Sequence, residues 1–189
     1  MHYLLYQNNL IKIVPFERNK YLTEKYRSWF NDPETTRYNS WGLFPYTKGQ
    51  MEDFISIIEK GSTTKIVWAI CLNDAHEKHI GNVSLQGINL HNHSAELAIV
   101  IGEATARGKG FGLQACQLVL NHGFNKIGLN RIWTGTAATN IPMQKVCEKL
   151  GMRQEGIFRE GIFLNGEYVD VYAYGILKKE WEGISNVKP

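Results

Sequence analysis

The period of the apolar positions changes along the chain, and each change marks an element. Positions 10–14 alternate well enough to predict a first strand, ended by Pro15. Leu22, Tyr26, Trp29 and Phe30 then fall at i, i+4, i+7 and i+8, a helical stripe stopped by Asn31-Asp32-Pro33. Thr47 and Gln50 make a capping box ahead of Met51, Phe54, Ile55 and Ile58, a second helix with Gly61 as its stop. Two β-rich segments, 65–72 and 79–88, are joined by a polar turn and followed by a third at 95–101, which predicts an antiparallel meander.

Leu97 to Ile101 is an apolar run too short for a helix, and it breaks at Gly102. After a loop holding Gly108, Gly110 and Gly112, the positions Leu113, Cys116, Leu120, Phe124 and Ile127 recur at helical spacing. A strand at 131–136 follows, then a short helix opened by Asn140 and Pro142 and ended at Leu150-Gly151. Asn165-Gly166 predicts a tight hairpin between 157–164 and 168–176. The predicted order is β α α β β β α β α β β.

With 189 residues, 43% of them hydrophobic, the chain is long enough for one compact domain, taken as 1–189, and short for two. It has no long apolar run, and His2, Gln7, Asn8 and Asn9 interrupt the N-terminal stretch, so neither a membrane span nor a secretory leader is expected and a cytoplasmic location is. Cys71, Cys116 and Cys147 are an odd number at wide spacing and read as reduced thiols. The formal net charge of +3 is not gathered into a block, which argues against a nucleic-acid face but leaves room for a local phosphate site.

The chemistry centres on 94–124, a strand, a glycine loop and a helix. Glycines at a helix mouth let backbone N–H groups approach an anion, and the helix N-terminus adds partial positive charge. A dinucleotide fingerprint would need glycine where Leu113 stands, and no Lys-Ser or Lys-Thr follows the glycines as a P-loop would require.

Arg107, Gly110 and Gly112, with Gly108 and Lys109 completing RGKG, instead resemble the acyl-CoA-binding segment of the GCN5-related N-acetyltransferase (GNAT) superfamily. Asn140 followed by EKLGM at Glu148 to Met152 resembles a second family signature. WFNDPETTRY at Trp29 to Tyr38 resembles the branch that includes ribosomal-protein N-terminal acetyltransferases. The resemblance implies an α/β fold with a central, mixed, mostly antiparallel sheet flanked by helices. It implies acetyl-CoA as co-substrate, a primary amine as acceptor, and a monomer or homodimer. Backbone N–H groups of Arg107, Gly108, Lys109, Gly110 and Gly112 would hold the pyrophosphate, with Leu113 opening the helix. Val100 and Ile101 would pair with the pantetheine arm, and Asn140 would bond that arm from the other side. The side chains of Arg107 and Lys109 either add charge beside phosphate or are solvated surface, and Asn140 is alternatively a helix cap.

Glu96 shares a strand face with Ala98 and Val100, and a carboxylate among apolar neighbours has its pKa pushed up, as suits a general base. The matching family position often carries such a Glu. Two departures stand out: Cys147 occupies the place of a common family Tyr and reads as packing, and Met143 replaces a serine frequent in the branch. Tyr168, Tyr172 and Tyr174 are then candidates to protonate the leaving thiolate. The aromatic stretch 34–46 walls an acceptor pocket or covers the sheet edge. His76 with His79, and His91 with His93, read as exposed turn histidines, and no metal is expected. The competing reading is an acyl-CoA-binding sensor without catalysis.

Overall fold

The computed structural model describes residues 6–59 and 63–185; the expected stop at Gly61 and the interruption at His2 lie outside them. The strands are β1 (Tyr6–Gln7), β2 (Ile11–Pro15), β3 (Lys65–Leu72), β4 (His79–Asn89), β5 (Ser94–Ile101), β6 (Arg131–Ala137), β7 (Arg153–Leu164) and β8 (Glu167–Leu177). They form one eight-stranded sheet in the order β1-β2-β3-β4-β5-β6-β8-β7. Every neighbouring pair is antiparallel except β5 with β6, which is parallel. The hairpin turn is made by Asn165 and Gly166, with φ of 52° and 91°, as the sequence predicts.

Among the described residues, four helices precede β3: α1 (Arg18–Tyr21), α2 (Glu24–Phe30), α3 (Pro33–Thr36) and α4 (Lys48–Glu59). The single helix predicted around Leu22 is divided, because Thr23 restarts the chain as the N-cap of α2, its side chain accepting from the Tyr26 N–H at 3.1 Å. The stripe of Tyr26, Trp29 and Phe30 is buried on α2 as its spacing requires. Thr47 and Gln50 exchange hydrogen bonds at the start of α4, Thr47 N–H to Gln50 Oε1 at 3.0 Å and Gln50 N–H to Thr47 Oγ1 at 3.3 Å.

After β5 come α5 (Phe111–His122), a π turn (Gly123–Ile127), α6 (Ile141–Lys149) after β6, and α7 (Lys178–Ser185) after β8. The sheet separates two apolar layers. One joins Leu85, Ala95, Leu97 and Ile132 to Cys116, Val119 and Leu120 of α5 and Trp181 of α7. The other joins Val67, Ala69 and Cys71 to Tyr26 and Trp29 of α2 and Met51 and Ile55 of α4. Alternation along β5 therefore sends Ala95, Leu97, Ile99 and Ile101 toward α5, and Glu96, Ala98 and Val100 to the opposite face.

Candidate active site

Only three residue pairs hold β5 to β6: Ser94 with Arg131, Ala95 with Ile132, and Glu96 with Trp133. Beyond that pair β5 runs on to Ile101 and β6 to Ala137 with no partner between them. The strands form a V, and the edge of β5 carrying Val100 and Ile101 faces its opening. A strand edge of this kind offers unpaired backbone groups to an extended guest.

At the far end of β5 the chain turns through Gly102 into the glycine loop. Gly108 and Gly110 have φ of 73° and 81°, and an added Cβ at either would meet nothing within 4 Å. The loop is open on its outer side, which is the room a phosphate-sized guest needs. Gly110 is the N-cap of α5 and supplies no side chain to the first-turn N–H groups. Gly112 lies against β5, its Cβ position 3.5 Å from Ile99. Lys109 is exposed and Leu113 half-buried.

Arg107 takes a course that neither sequence alternative anticipates. Its backbone N–H donates to Ala104 O at 3.2 Å. Its guanidinium donates to Ile101 O at 3.1 Å, Gly102 O at 3.1 Å and Thr35 Oγ1 at 2.6 Å, and pairs with Asp32 at 3.4 Å. The side chain ties the loop to the start of α3 rather than standing in solvent. Asn140 caps α6, its Oδ1 accepting from the Met143 N–H at 3.2 Å.

Glu96 stands at the apex of the V, half-buried. Burial pushes its carboxyl above the usual range, opposed by a hydrogen bond from Gln86 and by the charge of Lys65. Gln86 Nε2 donates to it at 3.3 Å. The register explains the company: Lys65 on β3 pairs with Gln86 on β4, and Gln86 with Glu96 on β5, so the three side chains share one face in a row. The Lys65 ammonium lies 4.7 Å from the centre of the Phe54 ring and is itself pushed down by burial. Neither Lys65 nor Gln86 was identified from the sequence. Both segments were legible as strands, but no local signal fixed their register against Glu96.

The aromatic stretch stays close to this face. Trp41 and Tyr46 stack at 5.5 Å, and Trp41 meets Phe54 edge-on at 6.0 Å. A cavity of about 190 Å³ is lined by Ser40, Trp41, Phe44, Pro45, Tyr46 and Gln50. The short 3-10 turn that carries Trp41, Ser40–Leu43, also meets β7.

Cys147 is fully buried on α6, and burial pushes its thiol up to about 12. His79 departs from the expected exposed histidine: it packs against Phe16, Tyr21, Tyr26 and Trp29 and bonds Gly81 O and Asn82 Oδ1 at 2.9 Å each. Burial lowers its pKa. Among the described residues no group of three or more His, Cys, Asp or Glu is arranged to hold a metal ion, and no helix is long and apolar enough to cross a membrane.

Residues 11–153 match the family model of the acetyltransferase (GNAT) domain. The chain belongs to the GNAT family. N-acetyltransferase p20 of Bacillus licheniformis, itself uncharacterized, is 30% identical over 160 residues, 82% of this chain and 86% of that one. YdaF of Bacillus subtilis (strain 168), provisionally named a ribosomal N-acetyltransferase, is 34% identical over 103 residues, 54% of this chain and 56% of that protein. Among solved structures, the spermidine N-acetyltransferase of Vibrio cholerae in complex with CoA and spermine superposes with a TM-score of 0.82 at 26% identity, covering 93% of this chain and 99% of that one. This GNAT chain is therefore an acyl-CoA-dependent N-acetyltransferase acting on amines, with acetyl-CoA as co-substrate. The open glycine loop and the V between β5 and β6 suit an extended phosphate-bearing thioester.

Proposed function

We propose that this single domain transfers acetyl from acetyl-CoA directly to a primary amine in a ternary complex, with Glu96 as general base. The acceptor is a protein N-terminus or a small-molecule amine such as an amino sugar. The observation that carries the reading is the place of Glu96, where the β5–β6 ladder ends, five residues along the open strand from Ile101. That stretch spans about 17 Å, a length suited to an extended arm running from the glycine loop to the apex.

In this reading the N–H groups of residues 108–112, rather than that of Arg107, take the pyrophosphate, and Val100 and Ile101 lie along the pantetheine arm. Asn140 has its Oδ1 in the cap, so its amide N–H group is what remains for the arm. A backbone N–H on the open edge of β5 polarises the thioester carbonyl. The amine nitrogen attacks that carbon, Glu96 takes the proton the nitrogen sheds, and collapse of the tetrahedral adduct breaks the C–S bond. Most of the acceleration comes from holding the reactants together and stabilising the oxyanion.

The departing thiolate needs a proton. Cys147 is too deeply buried to supply it, Tyr174 is 5% exposed, and Tyr168 is 69% exposed beside the hairpin turn. Tyr172 is half-buried and pairs with Thr136 on the separated part of β6. We assign it the donor role. The test is thermal stability with and without acetyl-CoA, followed by thiol release against a panel of amines. Stabilisation with thiol release supports transfer; stabilisation without release for any amine favours a sensor, and no stabilisation rejects the acyl-CoA site.

A further inference from the structure

Lys65 is a cation on the floor where the amine must arrive. Its ammonium lies over the Phe54 ring, and among the described residues no carboxylate comes within ion-pair distance of it. The ammonium is not a buried orphan, so the N–H donors that the ring face leaves over open to solvent, where an arriving anion can meet them. Gln86, between Lys65 and Glu96 in the row, spends its amide on Glu96.

The row thus sets a positive and a negative side chain on one face, two strands apart, about 10 Å between Cα atoms. This is the complement of a small zwitterion, a molecule whose amine and carboxylate are borne by one carbon. Other charge on the floor is already matched: Arg131 shares the face of Trp133 and grips Glu155 with both guanidinium arms. The aromatic wall begins at Phe54 and continues through Trp41 to Tyr46 and the cavity of about 190 Å³.

We propose that Lys65 is a specificity-determining residue that binds a carboxylate on the acceptor, and that the acceptor is of free amino-acid type with an aromatic side chain. The inference rests on the acetyltransfer reading and narrows it. The acceptor's amine lies toward Glu96, its carboxylate on Lys65, and its ring against Trp41 and Tyr46. A polyamine meets the opposite situation, because its second ammonium approaches Lys65 as a like charge.

The experiment pairs each amino acid with the amine left when its carboxyl is removed, L-phenylalanine with phenethylamine and L-tryptophan with tryptamine, and adds spermidine. Acetyl-CoA-induced stabilisation is recorded first, so that a protein that does not bind acetyl-CoA is recognised as a failure of the parent reading. The expected result is a kcat/KM at least about tenfold higher for the carboxylate-bearing member of a pair, as suits a partly desolvated charge pair. Lys65→Met is expected to bring the ratio close to one, mostly through KM, and Lys65→Arg to restore most of it. Stabilisation by acetyl-CoA with no transfer to any amino acid, a preference for spermidine, or a ratio unchanged in Lys65→Met would each overturn the inference.

Discussion

Glu96 and Trp133 are the last matched pair of the parallel ladder between β5 and β6, so the carboxylate stands where two strands part rather than within a closed sheet. Its half-burial and its unpaired surroundings have one origin. Carrying the ladder on to Ile101 would cover the strand edge along which the pantetheine arm is proposed to lie.

Replacing Glu96 by Gln is expected to leave stabilisation by acetyl-CoA intact and to lower transfer by at least about tenfold, within the usual span for loss of a general base. The base must be ionised to work, so kcat/KM falls as pH drops through its pKa. Burial raises that pKa, which puts the acid limb above the ordinary carboxylate value of about 4.3. Steady-state rates across pH check this, and a limb at the ordinary value, or one retained in the Gln variant, rejects it.

The same shift has a stability consequence of fixed sign. Folded Glu96 holds its proton to higher pH than the unfolded chain does, so its contribution is present below the unfolded pKa and lost as pH rises through the folded one. The Gln variant is expected to melt higher than wild type at pH 7, with the gap closing below about pH 4. Thermal melts of both proteins across that range decide it.

Arg107 joins the glycine loop, the proposed acetyl-CoA site, to the start of α3, ahead of the aromatic stretch. Three hydrogen bonds at 3.1 Å or less fix its guanidinium, and Asp32 adds a partly exposed charge that contributes less. Arg107→Ala is expected to cost about 1.5–3 kcal/mol of stability and to weaken acetyl-CoA, although no charge–phosphate contact is removed. Thr35→Ala should reproduce part of both effects. A double-mutant cycle should show coupling of about 1 kcal/mol, and strict additivity would mean the contact does not hold the loop.

The strand, glycine loop and helix were legible because each is written locally, in a change of period, in glycines and in caps. The Thr47–Gln50 box and the Asn165-Gly166 turn were legible for the same reason. The two-residue β1 and the four-residue α1 and α3 were not, since such short pieces carry no period. The company of Glu96 was hidden more deeply. Lys65 and Gln86 join it through the register of three strands, and one-residue slips send side chains to the other face. Arg107 finds Thr35 across 72 residues of sequence, a distance over which no local pattern speaks. His79 looked like a turn residue because its aromatic partners Phe16, Tyr21, Tyr26 and Trp29 come from a separate stretch of chain.

Gly102, where β5 ends, is expected to tolerate no side chain. A Cβ there would lie 1.9 Å from Trp29 Cδ2 and 2.3 Å from two more ring atoms, and Trp29 is 4% exposed within its apolar layer. Neither a rigid ring nor the strand end can give way by that much. Gly102→Ala should destabilise by about 3 kcal/mol, at the upper end of ordinary overpacking. Gly108→Ala, where φ is 73° but nothing lies within 4 Å, should cost only the left-handed strain of about 1–2 kcal/mol. Urea midpoints of the two variants test the order, and equal shifts would show that Trp29 moves aside.

Cys147 separates a packing role from a catalytic one. It is fully buried, its thiol is held up at about 12, and Cys116 beside it on α5 is raised further by burial. A thiol in that state neither reacts with a disulfide reagent nor exchanges a proton with a bound substrate. Native protein should therefore label at Cys147 only as fast as it unfolds. Cys147→Ala should cost about 1–2 kcal/mol of stability through the lost packing while keeping kcat within about twofold at temperatures well below its melt. A tenfold fall in kcat in that variant, with a normal thermal shift on acetyl-CoA, would make the thiol part of the proton path and displace Tyr172 from it.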